Sequence, residues 1–448
     1  MKNRKNFIPV FGLLFLAVAL FFTACQKTEF MPDPEGEKVP FPDTVKSSLV
    51  DIIRATPTLK TFYAAWEKGN IKNLLKEKGD KARFTVFAPS DAAFQSQGIT
   101  VASIQKMTAA NIDSLLLFYV SLGDIKPINL QDRSDNLMVK SLLPKPGVYV
   151  KYYEGNVPGT MSYDLYFHRY YMKIQGDELL ANGKKTGKLN YIPATDGGLY
   201  TLTRTIEKPT KTILEILEAN GRFKLFLESQ RLTDQLFFET IAPVLEPYIG
   251  YIPDDEEMRS AWATYRFYYT TGWKFTKPIY EGFIGQNLTV STLFAPTDEA
   301  FRKVGFNTAE DIVRFNLEHG DARFDEDYFE IKGGYPMDTL YNYHRDFGRF
   351  NRPRTPGGDG PSNNATVFFS NDLGPQLNNY LVGLGGNVGP EYAFTMPLEF
   401  SFNNGRTQIK IKGSSAPAAT VIDADILSLN GPIHVVDNLF VPKGFKFK

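Results

Sequence analysis

A ten-residue stretch of this chain recurs in closely similar form. Thr85-Val86-Phe87-Ala88-Pro89-Ser90-Asp91-Ala92-Ala93-Phe94 returns 207 positions later as Thr292-Leu293-Phe294-Ala295-Pro296-Thr297-Asp298-Glu299-Ala300-Phe301. Three weaker blocks recur around it in the same order. Ser48 to Ile53 matches Thr212 to Leu217 at an offset of 164, Asp113 to Tyr119 matches Asp338 to His344 at 225, and Gly197 to Tyr200 matches Gly431 to His434 at 234. A preserved order with rising offsets means two copies of one module, the second enlarged by insertions. This restricts the fold more than the 448 residues do, since length alone allows two or three unrelated domains. Copy two gains 43 residues as the offset rises from 164 to 207, then 18, then 9. The largest insertion falls at about 240–287 and carries Tyr248, Tyr251, Trp262, Tyr265, Tyr268, Tyr269, Trp273 and Tyr280.

Each block has a local reading. Leu49, Ile52 and Ile53, and again Ile213, Ile216 and Leu217, stand at helical spacing. Leu59 with Phe62, and Phe223 with Phe226, extend that apolar face. Thr85 to Phe87 and Thr292 to Phe294 read as short strands closed by Pro89 and Pro296, which cannot donate to a ladder. Ser90 and Thr297 then suit helix N-caps, and Phe94 and Phe301 begin buried faces. Asp113 and Asp338 are candidate N-caps for apolar helices, with Gly123 and Gly348 marking the ends of those segments. Ile433 to Phe440 alternates with apolar residues on both faces, which predicts a central strand closed by Pro442.

These blocks resemble the fasciclin domain family. Residues 85–94 and 292–301 are similar to its first signature. Tyr343-His344 resembles its central Tyr-His motif, and Gly431 to Pro442 resembles its second signature, which contains His434 and Asp437. Copy one departs from this pattern, with Tyr119 and Tyr200 where the family has His. The resemblance implies an α+β fold: two tandem modules, each a β-wedge or sandwich packed with helices. It also implies extracellular adhesion or ligand binding without catalysis, and points to Tyr343 and His344 as adhesion residues.

The N-terminus speaks to location. Lys2, Arg4 and Lys5 precede an apolar run from Phe7 to Phe22, and Phe22-Thr23-Ala24-Cys25 follows. Sixteen helical residues reach ~24 Å, short of the ~30 Å that a spanning helix needs. A secretory leader over 1–24 fits better, and its end resembles a bacterial lipobox with Cys25 as the lipid attachment point. Two or three acyl chains would anchor such a protein stably. A Pro-rich tether at 25–46 would follow, then modules at 47–208 and 209–448. Gln26 is not the Asp that commonly retains lipoproteins at the inner membrane, so the outer membrane, facing the exterior, is expected.

Composition removes other classes. The chain has 50 basic and 50 acidic residues. Removal of a leader with three positive charges would leave 47 basic and 50 acidic groups, which argues against a nucleic-acid partner. A lone Cys and four His leave little for a disulfide, a thiolate metal site or a His-rich centre, so no metal or cofactor is expected. The excess is aromatic, at 14%.

His344 and His434 read best as core residues bonded to backbone and held neutral by burial. His168 and His319, without repeat partners, are expected at the surface. Asp91 and Asp298 are expected to favour helix N-termini. Asp325, Glu326, Asp327 and Glu330 lack an EF-hand register and read as a solvated acidic face, as does the Asp254 to Glu257 run. Pro356 to Asn364 lacks phosphate-loop spacing. The candidate ligand residues lie in aromatic stretches: Trp262, Tyr265 and Trp273 in the insertion, and Tyr166 and Tyr170 beside the expected strand pair Val148-Tyr149-Val150 and Leu165-Tyr166-Phe167. Flat aromatic faces with one wet end suit sugars and protein partners, although packing onto the chain's own module explains them as well. The expected function is therefore a non-enzymatic surface lipoprotein that binds a protein or glycan, with service as an accessory to a glycan-import complex as one form of that role. The alternative is a structural cell-envelope protein that scaffolds partners.

Overall fold

The computed structural model describes residues 45–131, 133, 135–153, 161–254, 286–288, 290–346, 367–382 and 394–447. The chain divides into two compact units, Met1–Lys46 and Ser47–Lys448. Of the first unit, only 45–46 are described. Cys25, 255–257, Trp262, Tyr265, Trp273, Gly348 and 356–364 lie outside the described residues. The elements all belong to the second unit.

Copy one opens with helices α1 (Leu49–Ala55), α2 (Lys60–Lys68) and α3 (Ile71–Lys76). Ser48 and Asp51 form a reciprocal capping box on α1, and Thr212 and Glu215 repeat it on the first helix of copy two. Strand β1 (Phe84–Pro89) leads into α4 (Asp91–Gln95), whose N-cap is Ser90. Helices α5 (Val101–Lys106) and α6 (Ala109–Phe118) precede β2 (Val120–Leu122). Here two sequence expectations fail. Thr108, not Asp113, caps α6, and Gly123 lies past a strand rather than a helix. Asp113 sits one turn inside α6, where its carboxylate accepts from Asn70 N at 2.6 Å. A long hairpin, β3 (Leu137–Tyr153) and β4 (Met161–Gln175), follows with Tyr149 opposite Leu165. Then come β5 (Glu178–Ala181), β6 (Lys184–Lys188), β7 (Tyr191–Ala194) and β8 (Gly197–Leu202). The described strands run β6-β5-β4-β3-β2-β1-β8-β7.

Copy two repeats this plan with additions. Helix α7 (Ile213–Glu218) matches α1, and α8 (Lys224–Ile249) begins where α2 would but runs for 26 residues. Strand β9 (Gln286–Leu288) adds itself in parallel to β3 of copy one. Strand β10 (Leu293–Pro296) and α9 (Asp298–Arg302) repeat β1 and α4, with Thr297 as N-cap. Helix α10 (Ala309–His319), hairpin β11 (Arg323–Asp325) and β12 (Glu330–Lys332), and α11 (Pro336–Asp346) come next. Asp338 is not the cap of α11 but lies in its first turn, reaching back to Tyr335 N at 3.4 Å. The short pair β13 (Leu381–Val382) and β14 (Phe394–Thr395) precedes β15 (Leu398–Asn403), β16 (Arg406–Ile411), β17 (Ala419–Ser428) and β18 (Gly431–Val436). Strands β10-β18-β17-β16-β15 form the second sheet. Strand β18 is central and wholly buried, as its two apolar faces require, although it ends at Val436 rather than Phe440. The fold is α+β.

The two copies keep the same register between their paired blocks. Block two pairs in parallel with block four in both, Phe87 opposite Tyr200 and Phe294 opposite His434. The glycine that opens the last strand is required sterically. At Gly431, φ is +128°, and a Cβ would lie 1.9 Å from Ser291 O; at Gly197, φ is +150°, and a Cβ would lie 1.7 Å from Phe84 O. The residue before each glycine then binds the first helix: Asp196 Oδ1 accepts from Leu49 N at 2.7 Å, and Asn430 Oδ1 accepts from Ile213 N at 2.8 Å.

The copies are interlocked. Val148, Tyr166 and Tyr171 from the long hairpin share an apolar cluster with Leu288, Val290, Val367, Phe369 and Leu429. Tyr166 donates to Leu429 O at 2.7 Å. Beside it, buried Asp372 accepts from Asn136 at 2.5 Å, Phe369 N at 3.1 Å and Lys173 at 3.2 Å. Burial raises the Asp372 carboxyl to about 6 despite Lys173. Among the described residues, no helix is long and apolar enough to cross a membrane.

Candidate functional site

The signature residues build a closed core. Phe94 stacks on Phe62, and Phe301 packs on the equivalent Phe226. Phe87 stacks on Tyr200 at 5.1 Å, and Phe294 stacks on His434 at 5.5 Å. Pro89 and Pro296 end the paired strands opposite Leu202 and Val436. Asp91 and Asp298 do more than favour their own helices. Asp91 accepts from Thr61 N at 2.7 Å, and Asp298 accepts from Leu225 N at 2.8 Å. Helices α2 and α8 have no side-chain cap of their own, because Leu59 and Phe223 stand at those positions. The signature Asp therefore caps a neighbouring helix from outside. This role is invisible in the sequence, because the capped residue lies 30 positions away in copy one and 73 in copy two.

His344 is fully buried, as its reading as a core residue expected and unlike an exposed adhesion residue. Its Nδ1–H donates to Phe294 O at 2.8 Å, and Phe440 N–H donates to its Nε2 at 3.0 Å. Its ring stacks on Phe440 at 4.3 Å. His434 bonds Phe368 O through Nε2 at 2.9 Å. Burial lowers both imidazoles, that of His344 to about 3. Copy one makes similar connections with tyrosines: Tyr119 bonds the backbone of Ile206, and Tyr200 donates to Ile125 O at 2.9 Å. Tyr343 is half-buried against the second core of copy two. Asp437 accepts from Thr420 N at 2.7 Å and so fixes the end of β18.

The hairpin tyrosines need the same correction. Tyr166 and Tyr170 are fully buried, one in the joint between copies and the other against Phe87 and Phe118. His168, expected at the surface, is 6% exposed between Phe118 and Tyr166, and burial lowers it to about 4. His319 is exposed, with its ring against Phe315.

Among the described residues, one exposed aromatic surface comes from two insertions that meet. Helix α8 continues past the length of α2 through Pro243 and Pro247. Internal prolines cost about 3 kcal/mol each. The extension offsets this by burying Phe237, Ile241 and Leu245 against Ile331 and Tyr335, at about 1.5–3 kcal/mol per large side chain. Gly250, at φ +84°, ends it in a left-handed cap on Glu246 O. The hairpin β11–β12 belongs to the gain of 18 residues. Tyr248 packs on Phe324 at 5.1 Å and on Phe329 at 6.2 Å, and its hydroxyl bonds Glu326. The outer surface keeps Tyr248 41%, Tyr251 50%, Ile252 50%, Tyr328 71% and Phe329 48% exposed. Monomers rarely gather large apolar side chains at the surface without a use. Tyr248 and Tyr251 were legible from the aromatic insertion; Tyr328 and Phe329 were not, because the acidic run around them dominates the sequence signal.

Within the acidic run, Asp325 is engaged by the hairpin itself. Asp325 pairs with Lys332 at 2.6 Å, which holds its carboxyl below the usual range, and it also accepts from Asp327 N and Tyr328 N. Among the described residues, no group of three or more His, Cys, Asp or Glu is placed to hold a metal.

The family model for the fasciclin domain matches residues 57–162, in copy one. No curated protein matches the chain. Among solved structures, the chain is similar to one reported as "Novel Fold Revealed by the Structure of a FAS1 Domain Pair from the Insect Cell Adhesion Molecule Fasciclin I". Identity is 14%, with 86% of this chain and 96% of that chain covered, and the TM-score is 0.26, too low a superposition to support conclusions about this chain.

Proposed function

We propose that this chain is a non-catalytic binding protein, held at the outer surface of a bacterial cell by lipid on Cys25, that captures a protein or glycan through the aromatic face of copy two. The fasciclin match in copy one supports adhesion or binding as the general role. The observation that carries the reading is the exposed set Tyr248, Tyr251, Tyr328 and Phe329, raised on a helix and hairpin that copy one lacks. The signature residues instead satisfy backbone groups within the core. Large rings with one wet end supply contact area at low entropic cost.

The test is binding to arrayed glycans and to candidate surface proteins, with wild type compared with Tyr248→Ser, Tyr251→Ser and Trp262→Ala. Loss of the same ligand by these variants supports the reading; unchanged binding in all three removes the insertion from it. Anchoring is tested separately by Cys25→Ala, which is expected to abolish palmitate labelling and release the chain from membranes.

A further inference from the structure

Resting on that reading, we infer that the aromatic face docks a protein segment bearing Lys or Arg side chains beside an apolar anchor, rather than a neutral sugar. Charge decides the partner. On the hairpin, Glu326 and Asp327 are exposed, with Glu326 bonded to the Tyr248 hydroxyl, while the hairpin's two cations pair with other carboxylates: Arg323 with Asp321 at 3.6 Å and Lys332 with Asp325 at 2.6 Å. Exposed carboxylates bordering aromatic rings complement a basic partner. The hairpin already shows this chemistry on itself. Lys332 Nζ lies 3.9 Å from the Tyr328 ring centre and 2.6 Å from Asp325, held by a ring face and a carboxylate together. The Tyr248 hydroxyl donates to Glu326, which sets a second ring and carboxylate side by side at the surface.

Backbone strain marks the same place. Phe329 has φ +51°, a conformation that bulky residues rarely adopt and glycine adopts freely. The position ends a hairpin loop, where glycine would relieve the strain; an aromatic ring stands there instead, 48% exposed.

The test measures fluorescence anisotropy of the full chain in detergent with labelled synthetic peptides of one length. One set mixes Lys and Arg with Leu and Phe, one replaces the cations with Glu, and one replaces them with Gln. Neutral oligosaccharides form a further arm. The basic set should bind at least about tenfold more tightly than the acidic set and weaken as salt rises. Asp327→Lys with Glu326→Lys should reverse that preference. Phe329→Gly should weaken binding and keep the wild-type fold by circular dichroism, since glycine accepts the positive φ and the lost ring contacts, to Tyr248 and Phe324, lie at the surface. Equal affinity for basic and acidic peptides, indifference to the charge reversal, or no peptide binding would each overturn the inference. Oligosaccharide binding that Tyr248→Ser abolishes would overturn it while leaving the proposed function standing. If neither peptide nor sugar binding responds to Tyr248→Ser or Phe329→Gly, both fail.

Discussion

His344 should make the stability of copy two acid-sensitive. Its ring is buried, donates to Phe294 O, accepts from Phe440 N–H and is lowered to about 3. An unfolded His titrates near 6.5. Between those values the unfolded chain takes up a proton that the folded chain refuses, so stability falls as pH drops through that window. At pH 5 the loss from this one group is about 2 kcal/mol, from some 1.5 units at 1.36 kcal/mol each. His434 shifts in the same direction, with Asp425 opposing it. The assay is urea unfolding at pH 7.5 and pH 5.0 for wild type and His344→Gln. Gln keeps one donor and one acceptor but does not titrate. The surface carboxylates respond alike in both proteins, so the difference isolates the imidazole. The variant should start about 1–2 kcal/mol less stable, from imperfect hydrogen bonds, yet lose about 2 kcal/mol less on acidification. Equal losses in the two proteins would refute the argument that the fold holds this ring neutral.

Asp372 should behave with the opposite sign. Its folded value of about 6 exceeds the unfolded 3.8, so its contribution is complete below about 4 and is lost as pH rises through 6. Relative to wild type, Asp372→Asn should gain up to about 3 kcal/mol between pH 4 and pH 7.5 in urea unfolding; a flat difference would show that the carboxyl is not desolvated. Asp298→Ala should cost about 1–2 kcal/mol by uncapping α8, and Asp91→Ala should cost a similar amount in copy one; no change in either midpoint would remove the cap assignment. Gly431→Ala should cost at least about 2 kcal/mol, from a positive φ and a Cβ driven into Ser291 O, and a wild-type melting temperature would contradict that geometry.

Local chemistry was legible in the sequence because it depends on neighbours in the chain. The caps at Ser90 and Thr297 sit within three residues of what they bind. The repeat implied that equivalent blocks occupy equivalent places, and in both copies block two does pair with block four. Contacts made across the fold were not legible. Asp91 and Asp298 looked like ordinary first-turn acids until the bare N-termini of α2 and α8 came beside them. Tyr166 and Tyr170 looked like a ligand platform because composition cannot tell a ring that faces solvent from one that faces a second module. The candidate face itself was half-legible: the aromatic insertion pointed to Tyr248, but nothing in the sequence said that a separate acidic hairpin would bring Phe329 to it.

The interlock between copies has a mechanical consequence. Parallel addition of β9 to β3, the Tyr166 bond to Leu429 and the Lys173–Asp372 pair join the modules in addition to the covalent connection between them. A pull applied at Ser47 and resisted at the aromatic face would be shared by strand hydrogen bonds, a buried apolar seam and an ion pair acting together. Such a joint behaves as a stiff lever rather than a string of beads, and an orientation set at one end is delivered to the other.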